Sequence, residues 1–228
     1  MRRFLPWLLA CCVGSALAAD PCAELPKPTV TIKRIDDRIV ENGRYGYRSL
    51  TTIGASANRP GRQVLGLTRG NATAAFALSL PMITDPSGRW ECASPQITLT
   101  YGMSPLTVYV AREFPAGTCA YQEIHEHEMR HVQTYQAHLA AIEKELNETL
   151  TRRFATETIW HAPAGETAEH LRRELDERWL PYVQRLIQQA EIAQAEIDTP
   201  EEYERVAQSC NGEITRRLAT TETATTRR

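Results

Sequence analysis

After residue 18 the sequence has no run approaching the ~20 apolar residues that cross a bilayer, so no membrane-spanning helix is expected. It has no basic block, and its net charge of −2 is near neutral, so a nucleic-acid-binding surface is not expected either. No internal repeat is found, which excludes a solenoid or propeller array. The cysteines are too widely and irregularly spaced for a four-cysteine zinc cluster.

What is present begins with an export signature. Met1-Arg2-Arg3 is followed by an apolar run from Phe4 to Leu17, and Ala16-Leu17-Ala18 supplies small residues for cleavage near Ala18. Leu8-Leu9-Ala10-Cys11 loosely matches a lipoprotein site, but Leu9 fits poorly and the preceding apolar run is short. Phe4 and Leu5 also break the twin-arginine pattern. The expectation is a signal peptide over residues 1–18 and a periplasmic or secreted protein. Cys11 and Cys12 would leave with the signal, while Cys22, Cys92, Cys119 and Cys210 stay in an oxidising compartment as two disulfides.

The remaining chain changes character near its middle. Residues 29–112 are rich in β-branched residues with Gly and Pro punctuation. Thr29–Ile32, Tyr45–Ile53, Ala74–Leu80, Gln96–Tyr101 and Leu106–Ala111 read as strands. Gly102 to Pro105 reads as the turn of an antiparallel hairpin joining the last two, within one sheet of four to six strands. Residues 120–218 read as helical. Ile124, Tyr135, Ile142 and Leu146 form one stripe of a helix from Tyr121 to Phe154. Pro163 to Gly165 breaks it, and a second run follows with Leu171, Leu175, Trp179, Val183 and Leu186 on one face, kinked at Pro181. Thr199-Pro200-Glu201-Glu202 marks a third helix start. Residues 219–228 read as a disordered tail. The expected architecture is one α+β domain over residues 19–218: an antiparallel-rich sheet, a long helix, then an antiparallel helical hairpin.

The chemistry lies on the long helix, in His127-Glu128-Met129-Arg130-His131. Residues four apart project from one side of a helix, so His127 and His131 can hold one zinc ion through two imidazoles. Glu128 can then take a proton from a water polarised by the ion, as metal-assisted hydrolysis of a peptide bond requires. Measured from His131, Ile124 lies about 20° round the helix, Tyr135 about 40°, Glu128 about 60° and His127 about 40° the other way. All three motif residues therefore share the apolar stripe. Burying them without partners is costly, and a metal removes that cost.

A third ligand is needed. His138 lies two turns beyond His131, ~10 Å along the axis, too far for bonds near 2 Å. The metzincin spacing is also absent. If the two long helical runs fold back on each other, Glu191, Glu196 and Asp198 return beside the motif, and any of the three could complete the set. The segment Leu106–Arg112 leads into the motif helix after a short connection, and likeness to zincin-like enzymes implies an edge strand there that could pair with extended substrate. The expected hairpin would bring Cys92 toward Cys119, giving the pairings Cys92–Cys119 and Cys22–Cys210.

The segment Leu106–His131, LTVYVAREFPAGTCAYQEIHEHEMRH, resembles a group of uncharacterised exported proteobacterial HExxH proteins. More distantly it is similar to predicted secreted zinc-dependent proteases with a zincin-like sheet-plus-helix plan. The resemblance implies His127 and His131 as ligands and Glu128 as the general base. Two functions compete: a zinc-dependent metallopeptidase acting on a peptide or protein substrate, and a non-enzymatic envelope protein with a structural metal and a helical-hairpin docking surface. A structural zinc is closed by four protein ligands, whereas a catalytic one keeps a position open.

Overall fold

The computed structural model describes residues 20–36, 38–54, 63–156 and 158–226. The expected signal peptide lies outside these residues. In chain order the elements begin with β1 (Thr29–Arg34), β2 (Val40–Asn42), α1 (Tyr47–Ile53), β3 (Gly66–Arg69), β4 (Ala72–Ser79), β5 (Met82–Thr84) and β6 (Trp90–Ala93). They continue with β7 (Gln96–Met103), β8 (Thr107–Val110), α2 (Cys119–Phe154), β9 (Trp160–Pro163), α3 (Thr167–Glu174), α4 (Leu180–Gln188), α5 (Ala190–Ala195) and α6 (Pro200–Thr226). The architecture is mixed α+β. No helix among the described residues is long and apolar enough to cross a membrane.

Three small sheets replace the single sheet expected from the sequence. The first has the order β1-β7-β4, with β1 parallel and β4 antiparallel to β7. The second is β2-β8-β3, and the third β5-β6-β9. The expected β7–β8 hairpin does not form, because both edges of β7 are taken by β1 and β4, so β8 starts a different sheet. Alternation along β7 buries Ile97, Leu99, Tyr101 and Met103 toward α2. Tyr101 donates to the Leu139 carbonyl at 2.9 Å, fixing helix to sheet.

Tyr45–Ile53, expected as a strand, contains helix α1 instead. Tyr47 and Leu50, three residues apart, bury one face, and the Thr51 hydroxyl turns back onto the Tyr47 carbonyl. Packing of that stripe outweighs the β preference of Thr51, Thr52 and Ile53. The break expected at Pro181 takes the form of a wide π turn, Leu175–Trp179, after which Pro181 sits in the first turn of α4 where its missing N–H is harmless. Helix α6 starts where the sequence indicated, with Thr199 Oγ1 accepting from the Glu202 amide at 3.1 Å. Its backbone is interrupted at Ser209–Gly212 and resumes as far as Thr226, so residues 219–226 are helical rather than the expected tail.

The two disulfides pair differently from the expectation. Cys22 bonds to Cys92, and Cys119 to Cys210. With no β7–β8 hairpin, nothing carries Cys92 toward the start of α2. Cys119, the first residue of α2, instead meets the break in α6.

Helix α2 serves two cores in turn. Its first turns contribute Ala120 and Ile124 to a cluster with Tyr47, Leu50, Val206 and Ile214. From Val132 onward it buries Tyr135, Leu139, Ile142 and Leu146 in a larger cluster with β7 and α4. The histidine–glutamate motif occupies the junction between them.

Glu91, buried on β6, accepts from the amides of Gly165 at 2.7 Å and Thr167 at 2.8 Å and so caps α3. Its bonds to Thr167, then Gly165, hold its carboxyl below the ordinary glutamate value against burial. The folded pKa is thus below the unfolded one, so the contribution is full above the unfolded value and lost as pH falls through the folded value. Glu91→Ala is expected to cost about 2 kcal/mol. Thermal unfolding at pH 7 should show the midpoint falling by about 4–8 °C, with a smaller difference from wild type as the pH drops below 4.

Candidate metal centre

Helix α2 is started by Thr118, whose Oγ1 accepts from the Tyr121 amide at 3.2 Å. Two turns later the stripe presents His127, Glu128 and His131, all buried at under 9% exposure. Facing them is Asp198, in the turn between α5 and α6. His127 Nε2 and Asp198 Oδ1 are 3.2 Å apart, His131 Nε2 and Asp198 Oδ1 3.3 Å, and the two imidazole Nε2 atoms 3.3 Å. Four ligands at 2.0–2.1 Å in a tetrahedron are separated by about 3.3 Å along each edge, so this triangle fits one face of a zinc-sized coordination shell. The group could hold a single metal ion.

The outward nitrogen of each imidazole is also placed. His131 Nδ1 lies 2.6 Å from Gln194 Oε1, and the same amide donates from Nε2 to the His131 carbonyl at 3.0 Å. Gln194 thereby holds the proton on Nδ1 and leaves Nε2 bare for a metal. His127 Nδ1 faces Glu202 Oε1 at 3.2 Å, the carboxylate–imidazole pairing that orients metal ligands. The Arg130 guanidinium bonds the same Glu202 oxygen and approaches Nδ1 at 3.0 Å. Arg205 also holds Glu202 and reaches Glu123 at 2.8 Å, tying α6 to α2. Bonding to Arg205 first, then to His127 and Arg130, brings the Glu202 carboxyl down to about 2 despite some burial.

Glu128 stands apart from the triangle. Its Oε2 accepts from the Thr68 hydroxyl on β3 at 2.9 Å, with the Glu128 carbonyl a competing acceptor at 3.0 Å. Burial pushes the Glu128 carboxyl above its ordinary value, outweighing the pull of His131, His127 and Thr68. Burial also opposes the Asp198 charge, but hydrogen bonds from His127 and His131 hold that carboxyl well below the ordinary range. For His131, burial favours the neutral ring, yet Asp198 and Glu128 together raise its pKa. Between β3 and α2 there is no room for a side chain at residue 66. A Cβ on Gly66 would sit 2.5 Å from Glu128 Oε1 and 2.7 Å from Ile124 Cγ2.

The triangle and Glu128 line a cavity of ≈ 120 Å³. Its apolar wall includes Val64, Leu67, Ile124 and Val206, while Tyr135 and Glu191 form a polar part.

Of the sequence candidates for a third ligand, Asp198 is the one brought to the histidines. Glu191 lines the cavity but bonds the Tyr135 hydroxyl at 2.9 Å. Glu196 is an exposed residue at the end of α5, outside the metal-ligating group. His138 turns away to the Leu186 carbonyl at 2.7 Å. The strand expected at a sheet edge, β8, is central, and β3 is the edge that flanks the motif. Gln194, Glu202 and Thr68 escaped the sequence reading. Glu191, Gln194 and Asp198 recur at three- and four-residue spacing beside the apolar face, a polar stripe that could have signalled the first of these.

Comparison with protein-family models, with curated proteins and with solved structures finds no match.

Two outcomes are expected. Gln194→Ala should weaken divalent-ion binding roughly 10- to 100-fold, measured by competition against a chromophoric chelator. In the same assay, affinity should fall as pH is lowered through the raised His131 pKa, because protons and metal compete for Nε2.

Proposed function

We propose that this chain is an extracytoplasmic zinc-dependent hydrolase that cleaves peptide bonds. The observation that carries the reading is the near-equilateral triangle of His127, His131 and Asp198 opening on a cavity with Glu128 beside it. Two imidazoles and one carboxylate suit zinc, and three protein ligands leave a position for water or substrate. The two disulfides suit an oxidising compartment. A zincin-like descent is part of the same reading, supported by the motif residues and the flanking edge strand.

Zinc bound there would acidify a water and polarise a substrate carbonyl. The residues of the chain supply the rest. Glu128, its carboxyl kept basic by burial, accepts the proton of the attacking water. A carbon–oxygen bond forms as the carbon–nitrogen bond breaks, and Glu128 returns the proton to the leaving amine. Thr68 keeps the carboxylate aimed into the cavity, and Gly66 lets β3 come close enough to do so. Gln194 holds the His131 imidazole in the tautomer that leaves Nε2 free, and Glu202 with Arg130 fixes the orientation of the His127 ring.

The test is metal analysis and hydrolysis of a broad peptide mixture by the purified protein lacking residues 1–18, beside Glu128→Gln. One zinc per chain is expected in both, with cleavage in the wild type and a loss of about 100-fold or more in the variant. Zinc in both without cleavage by either would replace this reading with that of a structural metal. Absence of stoichiometric zinc would remove the metal altogether.

A further inference from the structure

The cavity beside the triangle has one carboxylate that the proposed chemistry does not use. Glu191 projects from α5, and its Oε1 accepts from the Tyr135 hydroxyl at 2.9 Å. Tyr135 is one helical turn beyond His131 on the same stripe of α2, about 6 Å along the axis. That fixes one Glu191 oxygen near the triangle and leaves the side chain exposed to whatever enters the cavity. Among the described residues no lysine or arginine lines this cavity. Val64, Ile124 and Val206 supply apolar wall to the same cavity.

We infer that Glu191 is a specificity residue that recognises a cationic group, an ammonium or guanidinium, on the substrate beside the bond being cleaved. Resting on the hydrolase reading above, it names the class of substrate that site accepts. A lysine ammonium on its flexible four-carbon stem is one source of that charge. A free α-amino group one residue away carries the same charge and is the second source of it. Anionic substrates would be repelled at the same point.

The experiment uses zinc-loaded protein and small hydroxamates, whose metal-chelating end is common to all probes. Binding of acetyl-lysine hydroxamate, acetyl-norleucine hydroxamate and norleucine hydroxamate with a free α-amine is measured by calorimetry at low and high salt. The neutral acetyl-norleucine probe should bind at least about threefold more weakly than one or both cationic probes, with the gap narrowing at high salt. Whichever cationic probe leads identifies the source of the charge. Glu191→Gln retains an acceptor for Tyr135 and should abolish the preference without changing zinc content. Equal affinity for all three probes, or an unchanged preference in Glu191→Gln, would overturn the inference while leaving the hydrolase reading intact. A protein that carries zinc yet binds no hydroxamate has no open coordination position, which overturns both.

Discussion

Everything at the candidate site depends on burying two imidazoles and the Glu128 carboxylate, with Asp198 half-buried beside them, at the seam between two hydrophobic cores. Ile124 belongs to one core and Tyr135 to the other, with His127, Glu128 and His131 between them. Such groups are tolerated away from water only when each finds a partner. Here the partners come from three directions: Thr68 from β3, Gln194 from α5, and Asp198 with Glu202 from the start of α6. The helices after α2 are therefore positioned by polar satisfaction as well as by the packing of Val183, Leu186 and Ala190.

That arrangement accounts for what could and could not be read in the sequence. The motif stripe was legible because helical periodicity is local: Ile124, His127, His131 and Tyr135 share a face whatever surrounds them. The start of α6 at Thr199-Pro200 was legible for the same reason. The choice of Asp198 over Glu191 and Glu196 was not. It depends on α5 ending at Ala195, so that the next turn points residue 198 back at α2. The disulfide pairing was further out of reach. It follows from β1 joining β7 in parallel across an intervening stretch of more than sixty residues, which displaces β8 into another sheet. Local signals also misled at Thr51-Thr52-Ile53, where β-branched residues ride on a helix held by Tyr47 and Leu50.

The electrostatics of the site are coherent with a cation. Asp198 is held strongly acidic by the two histidines, and Glu202 by arginines on both helices. Glu128 is driven the other way, toward the protonated form, by its burial. Two carboxylates are thus stabilised as anions around the imidazoles while burial favours the neutral form of the third, a difference set by environment rather than residue type.

The Cys119–Cys210 bond has a consequence for when this site can exist. It closes a separation of 91 residues, and by chain-entropy reasoning removes about 4–5 kcal/mol of freedom from the unfolded chain. Both ends of that loop bracket the ligands, since His127 and His131 follow Cys119 and Asp198 precedes Cys210. In an extended chain the histidine pair stands apart from Asp198, one member short of the group that could hold an ion. Joining Cys119 to Cys210 therefore shortens the search that brings the two histidines and Asp198 together, and couples assembly of the candidate site to the redox state of the compartment in which the chain folds.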